Sequence, residues 1–104
     1  MMKIELLSFR GCPNGGATQK LLQVALTDLG IREEVLLVDV ENEQAAHRLN
    51  FLGSPSIHVN GQDIEPARRG DPPAFSCRIY RDQEGRLTGV PPRQLVEAAL
   101  RFSP

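Results

Sequence analysis

The sequence predicts an α/β fold with a mixed sheet and helices on both faces, and three stretches carry that expectation. Residues 3–40 read as strand, amphipathic helix and strand; Asn60-Gly61 marks a two-residue hairpin; Pro91-Pro92 opens a closing amphipathic helix.

Residues 3–9 (KIELLSF) are mostly apolar, with Leu6 and Leu7 adjacent, as in a strand covered on both faces. From about Asn14 the period changes. Leu22, Ala25, Leu26 and Leu29 fall at i, i+3, i+4 and i+7, and Gly30 stands where a helix C-cap is expected. Residues 35–40 (VLLVDV) read as a second buried strand, parallel to the first through a right-handed crossover. Residues 42–52 carry Ala45, Ala46, Leu49 and Leu52 at helical spacing, with Asn42 or Glu41 as the cap and Gly53 ending the segment. Ser56-Ile57-His58-Val59 alternates as a strand and turns through Asn60-Gly61 into Gln62-Asp63-Ile64.

Residues 65–75 hold Pro66, Gly70, Pro72 and Pro73, the composition of a loop or lid. Beyond it Phe75, Cys77 and Ile79 share one face and Ser76, Arg78 and Tyr80 the other, so Cys77 is expected to point with the apolar face. Asp82-Gln83-Glu84-Gly85 then turns the chain toward Arg86-Leu87-Thr88 in a second hairpin. In the last helix Leu95, Ala98, Ala99 and Phe102 form the apolar stripe.

A chain of 104 residues is enough for one modest core, and a single domain over residues 1–104 is expected. Twelve basic residues against thirteen acidic ones leave no basic excess, which argues against nucleic acid or an anionic membrane as partner. Only Cys12 and Cys77 are present, too few for a disulfide-built scaffold. The first residues read as a strand and not as a signal peptide, so the expected location is a reducing cytoplasm. His47 and His58 read as surface residues. Neither a metal nor a cofactor is expected: Cys12, Cys77, His47 and His58 lack zinc-ligand spacing, and "GCPNGG" lacks the Gly-Lys-Ser/Thr ending of a phosphate loop. Arg68, Arg69 and Arg78 are available as a cationic rim.

Cys12 follows the first strand and falls at or beside the N-cap of the first helix, with Pro13 at N1. Unsatisfied N–H groups and the positive end of a helix dipole favour a thiolate over a thiol, which makes a cysteine there a candidate nucleophile. Gly15 and Gly16 each cost roughly 0.5–1 kcal/mol relative to Ala inside a helix. That cost makes sense if side chains in the first turn would obstruct the thiol; a helix starting one turn later explains the glycines equally. For Cys12 itself the alternative is a small buried hydrophobe.

"GCPNGG" after the first strand and "LGSPSIHVNGQDI" after the second helix resemble the thioredoxin and glutaredoxin superfamily over nearly the whole chain. The resemblance implies a thioredoxin-like fold in which Cys12 attacks disulfides. It also implies that Pro55 follows a cis Ser54-Pro55 bond and faces the cysteine, and that Pro13, Asn14, Ser54 and Pro55 bind substrate. One departure is informative: Gly15 stands where the superfamily's second, resolving cysteine would be. A mixed disulfide on Cys12 must then be resolved by an external thiol such as glutathione, or by Cys77. A nearer resemblance is to small bacterial thioredoxin-like proteins sharing "CPN", "GSP" and a later "SCR-x-Y", some of them labelled alkylmercury-lyase-like. Cys12 and Cys77, 65 positions apart, are similar to the two mercury-binding cysteines of those lyases. The carboxylate that would deliver the proton is missing, since the first acidic residue along this helix is Asp28.

The expected function is a thiol-disulfide oxidoreductase with Cys12 as nucleophile and Cys77 as resolving thiol, acting on a protein or low-molecular-weight thiol or disulfide, glutathione included. The alternatives are a soft-metal (mercury) binding protein using both thiols and a non-catalytic thioredoxin-fold binding module.

Overall fold

Adjacent strand residues point to opposite faces of a sheet, and the pair Leu6-Leu7 accordingly divides the interior in two. In the computed structural model, which describes residues 2–102, this pair lies in β1 (Ile4–Ser8). Ile4 and Leu6 face a core completed by Leu22 and Leu26 of α1 (Gly15–Asp28), Ile57 and Val59 of β3 (Ser56–Val59), and Val96 and Leu100 of α3 (Arg93–Phe102). Leu7 faces a second core with Val40, Phe51 and the two alanines, Ala45 and Ala46, of α2 (Glu43–Leu49). Helices therefore cover both faces.

β1 lies between β2 (Val35–Asp39), which it pairs in parallel, and β3, which it pairs antiparallel; β4 (Gln62–Asp63) closes the sheet in the order β2-β1-β3-β4. β5 (Tyr80–Arg81) and β6 (Leu87–Thr88) form a separate antiparallel ribbon.

Several local signals act as their chemistry dictates. Gly30, at φ +69°, follows α1, and the Gly30 and Ile31 amides donate to the Thr27 and Leu26 carbonyls, the two bonds of a Schellman closure. Asn42 caps α2 by accepting from the Ala45 amide at 2.8 Å. Asn60 and Gly61 both have positive φ, 54° and 82°, as a type I′ turn between β3 and β4 demands.

The differences have physical causes. β2 is not a buried strand: it lies at the open edge of the sheet, and Leu37 is 62% exposed. α2 ends at Leu49, with Asn50 left-handed at its C-cap, and Phe51 and Leu52 enter the core as extended chain. On α3 the buried positions are Val96 and Leu100, whereas Phe102, in the last turn of the helix, is 81% exposed. His58, expected at the surface, is 5% exposed. It belongs to an uninterrupted buried stretch, residues 51–59, that forms the deepest part of the chain.

Gly53, inside that stretch, has φ +120°, and a Cβ there would lie 2.9 Å from Arg78 Cβ and 3.1 Å from the Ser76 carbonyl. Gly53→Ala therefore meets both backbone strain and a clash with main chain. It should lower unfolding free energy by about 2–4 kcal/mol in a denaturant titration. Gly61→Ala, with open space around it, should cost less.

Candidate functional site

The chain leaves β1 through a tight loop. Gly11 adopts φ +83°, and the Cys12 amide donates to the Phe9 carbonyl at 3.2 Å. Helical bonding starts later than expected. The Thr18 amide and hydroxyl both donate to the Asn14 carbonyl, at 3.1 and 2.7 Å, which makes Asn14 the N-cap and leaves Pro13 and Cys12 ahead of the helix, not at N1 and the cap. The Asn14 amide makes no capping bond; it packs against Gly89, leaving no room there for a Cβ. A Cβ on Gly15 would meet only Ser8, at 3.8 Å, and one on Gly16 would meet nothing. The chain's own packing thus requires neither glycine.

Cys12 is half-buried, Cys77 is exposed, and both are free thiols. Their two segments meet at Ser54. The Ser54 hydroxyl accepts from the Phe9 amide at 3.2 Å, on the approach to Cys12. On the other side the Ser54 amide donates to the Ser76 carbonyl at 2.8 Å, and the Arg78 amide donates to the Ser54 carbonyl at 3.0 Å, so Ser54 and Cys77 face each other in a parallel bridge. The Phe9 and Phe75 rings stack edge to face, 5.4 Å apart, and tie the same two segments a second time. The Ser54-Pro55 peptide bond is cis. Ser54 is 1% exposed and Pro55 is equally covered, and it is Ser54 whose hydrogen bonds join the two cysteine-bearing segments.

Cys77 points outward, opposite to the face assigned from alternation, and Arg78 decides the matter. Its guanidinium, 3% exposed, grips Asp63 with both terminal nitrogens, at 2.6 and 2.8 Å. It also donates to Glu65 at 2.8 Å and Ser56 at 2.9 Å, and lies 4.5 Å from the centre of the Tyr80 ring. The Tyr80 hydroxyl donates to the Pro55 carbonyl at 2.6 Å. With Arg78 and Tyr80 turned inward, Cys77 and Ile79 must face out. Arg78 is therefore no part of a cationic rim. Of the other two arginines, Arg68 pairs with Asp71, and Arg69 donates to the Asp63 carbonyl.

The electrostatics follow from burial. Desolvation alone would favour loss of the Arg78 proton, but the Asp63 and Glu65 hydrogen bonds outweigh it and hold the guanidinium more firmly charged than in water. Burial pushes the Tyr80 hydroxyl pKa up, opposed by Arg78, so the phenol stays a donor. His58 is in register with Glu5 on β1 and Asp63 on β4, a row of titratable groups across three strands. Burial lowers its pKa from 6.5; Asp63, at 3.9 Å, and Glu5 oppose the shift, and Arg78 reinforces it. The His58 Nε2 has no hydrogen-bond partner.

Sequence reasoning missed this cluster. Its only signal was an Arg and a Tyr sharing one face of an alternating segment, with an acidic residue just beyond a hairpin. His47 is exposed. Among the described residues no three His, Cys, Asp or Glu side chains group to hold a metal, and no helix is long and apolar enough to cross a membrane. No protein-family model, curated protein or solved structure matches the chain.

Arg78→Met would leave the Asp63 carboxylate buried without its cation, and should cost about 3–5 kcal/mol of stability by chemical denaturation. The double variant Arg78→Met with Asp63→Asn should lose less than that single change. For His58 the unfolded chain binds a proton near pH 6.5 and the folded chain only at lower pH. Stability should therefore fall as pH drops below about 6.5 and stop falling, for this group, below its folded pKa. His58→Gln should flatten that part of a pH-stability profile.

Proposed function

We propose that this chain is a thiol-disulfide exchange protein of thioredoxin-like fold, with Cys12 as the attacking thiol and Cys77 as the second thiol of the site. The observation that carries the proposal is the double anchorage of Ser54, which hydrogen-bonds both the Phe9 approach to Cys12 and the Ser76–Arg78 segment around Cys77. Segments that carry two cysteines far apart in sequence are thereby hydrogen-bonded to one buried residue. The strand order β2-β1-β3-β4 with helices on both faces, and the β1–α1 loop that bears Cys12, agree with the superfamily resemblance.

In the proposed step the Cys12 thiolate attacks one sulfur of a disulfide. A bond forms from Cys12 Sγ to that sulfur, the original S–S bond breaks, and the other half leaves as a thiolate that takes a proton from water. A second thiol, Cys77 or an external one, then attacks Cys12 Sγ: a new S–S bond to Cys12 forms as the bound half leaves as a thiolate, and further external thiol such as glutathione exchanges with that bond, returning Cys12 as a thiolate and ending itself as a disulfide. Gly15 leaves no local cysteine for this step.

Reduction of hydroxyethyl disulfide, coupled to glutathione, tests the assignment. Cys12→Ser should lower the rate by at least about a hundredfold, because an alcohol is a poor nucleophile near neutral pH, with unchanged thermal unfolding. A rate equal to wild type in Cys12→Ser overturns it. In Cys77→Ser, accumulation of the Cys12 mixed disulfide identifies Cys77 as the resolving thiol; unchanged turnover assigns that step to the external thiol.

A further inference from the structure

The chain segments that carry the two thiols also build the wall of a cavity. It has a volume of about 520 Å³, open to solvent, and is lined by Phe9, Arg10, Asp39, Val40, Glu41 and Phe75. Phe9 lies three positions before Cys12 and Phe75 two before Cys77, and their rings are the edge-to-face pair that joins the segments. The other wall comes from the end of β2 and the residues just beyond it. The cavity thus opens at the carboxyl ends of the two parallel strands, the end at which open α/β sheets bind ligands. Its size suits a small organic molecule.

The lining has a definite chemical character. Two aromatic rings and buried Val40 supply an apolar floor, and Phe75 is partly open to solvent. Asp39 and Glu41 outnumber Arg10, and none of the three takes part in an ion pair among the described residues. A cation held beside two carboxylates and against phenyl faces gains Coulombic and cation–π attraction together. A ligand of net negative charge has only Arg10 to set against the two carboxylates.

We propose that this cavity binds the non-reacting end of a disulfide or thiol substrate that carries an amine on an apolar stem, with the ammonium at Asp39 and Glu41 and the stem against Phe9 and Phe75. The inference rests on Cys12 being the attacking thiol. Asp39 and Glu41 then set substrate charge, while the bond exchange at Cys12 is unchanged: Cys12 Sγ bonds one half of the disulfide, and the other half leaves as a thiolate.

The test uses the full chain in a Cys77→Ser background, so that Cys12 alone reports. Its rate with cystamine, a cationic disulfide, is compared with its rate with dithiodipropionate, an anionic one of similar length, each normalised to the same reaction of free cysteine. Cystamine should react about tenfold faster or more, the size of effect that one well-placed charge interaction supplies. The double variant Asp39→Asn, Glu41→Gln should bring the ratio to within about twofold of unity; both residues are exposed, so the fold should be unaffected. A preference for cystamine that survives in this variant overturns the proposal. A second arm needs no thiol chemistry: phenethylammonium is titrated into Cys12→Ser protein and followed by amide chemical shifts. Shifts at Phe9, Val40 and Phe75 that vanish in the Asp39→Asn, Glu41→Gln background support the cavity even if Cys12 proves inert to both disulfides, an outcome that removes the exchange reading alone. Absence of those shifts overturns the cavity proposal.

Discussion

The ion pair between Arg78 and Asp63 is the constraint on which the rest of this architecture depends. A guanidinium taken out of water costs several kcal/mol unless its hydrogen bonds are replaced and its charge is met. Here both terminal nitrogens engage Asp63, Glu65 and Ser56 add two further bonds, and the Tyr80 ring covers one side; among the described residues Nε alone of the three nitrogens is left without a hydrogen-bond partner. The partners belong to different parts of the chain: Ser56 to β3, Asp63 to β4, Glu65 to the loop beyond it, Tyr80 to β5. A cation with so many distant partners has few other places to go, which gives a segment with little regular structure, residues 70–79, a fixed position.

That fixed position propagates. Once Arg78 is seated, its main-chain amide meets the Ser54 carbonyl, and Gly53 must be a glycine because the Arg78 backbone and Cβ approach it so closely. Ser56 links the two effects, accepting from Arg78 while donating to the Gly53 carbonyl at 2.5 Å. Tyr80 adds a bond to the Pro55 carbonyl. The stretch from Gly53 to Ser56 is thus held on one side by β1, through Phe9 and Ser54, and on the other by the Arg78 segment. Thiol placement in this molecule is a consequence of ion-pair and backbone geometry; neither cysteine packs as a core residue.

Much of this could be read from the sequence wherever the signal is local. The period change near Asn14, the Asn42 cap, the positive-φ pair Asn60-Gly61 and the Gly30 closure depend on backbone sterics within a few residues, and each appears where the residues put it. What depends on distant partners was not legible. Alternation correctly set Cys77 and Ile79 apart from Arg78 and Tyr80, though Ser76 is exposed like its neighbours, and hydrophobicity pointed to the wrong face as buried, since no local pattern reveals that Arg78 has Asp63 waiting for it. The apolar run in β2 could not announce that the strand lies at an edge, because edge position is set by which strands pair elsewhere. His58 was misplaced for the same reason: its neighbours in register, Glu5 and Asp63, make a polar row inside the protein that a single strand's composition does not show.

The two glycines that begin α1 illustrate the limit of steric explanation. Gly53 is required by what this chain places next to it. Gly15 and Gly16 are not, for a Cβ at either would meet ordinary contact or open space. Both stand directly after the Asn14 cap, where glycine weakens the helix less than the roughly 0.5–1 kcal/mol it costs in a helix interior. A cost without an internal cause directs attention outward, to whatever approaches Cys12 from solvent. In the proposed exchange an incoming disulfide brings its sulfur to the half-buried Cys12 thiol just ahead of this turn. Bare backbone at positions 15 and 16 adds no side chain to the surface there. In the proposed chemistry, the stability lost from the helix thus falls beside the one cysteine that precedes it.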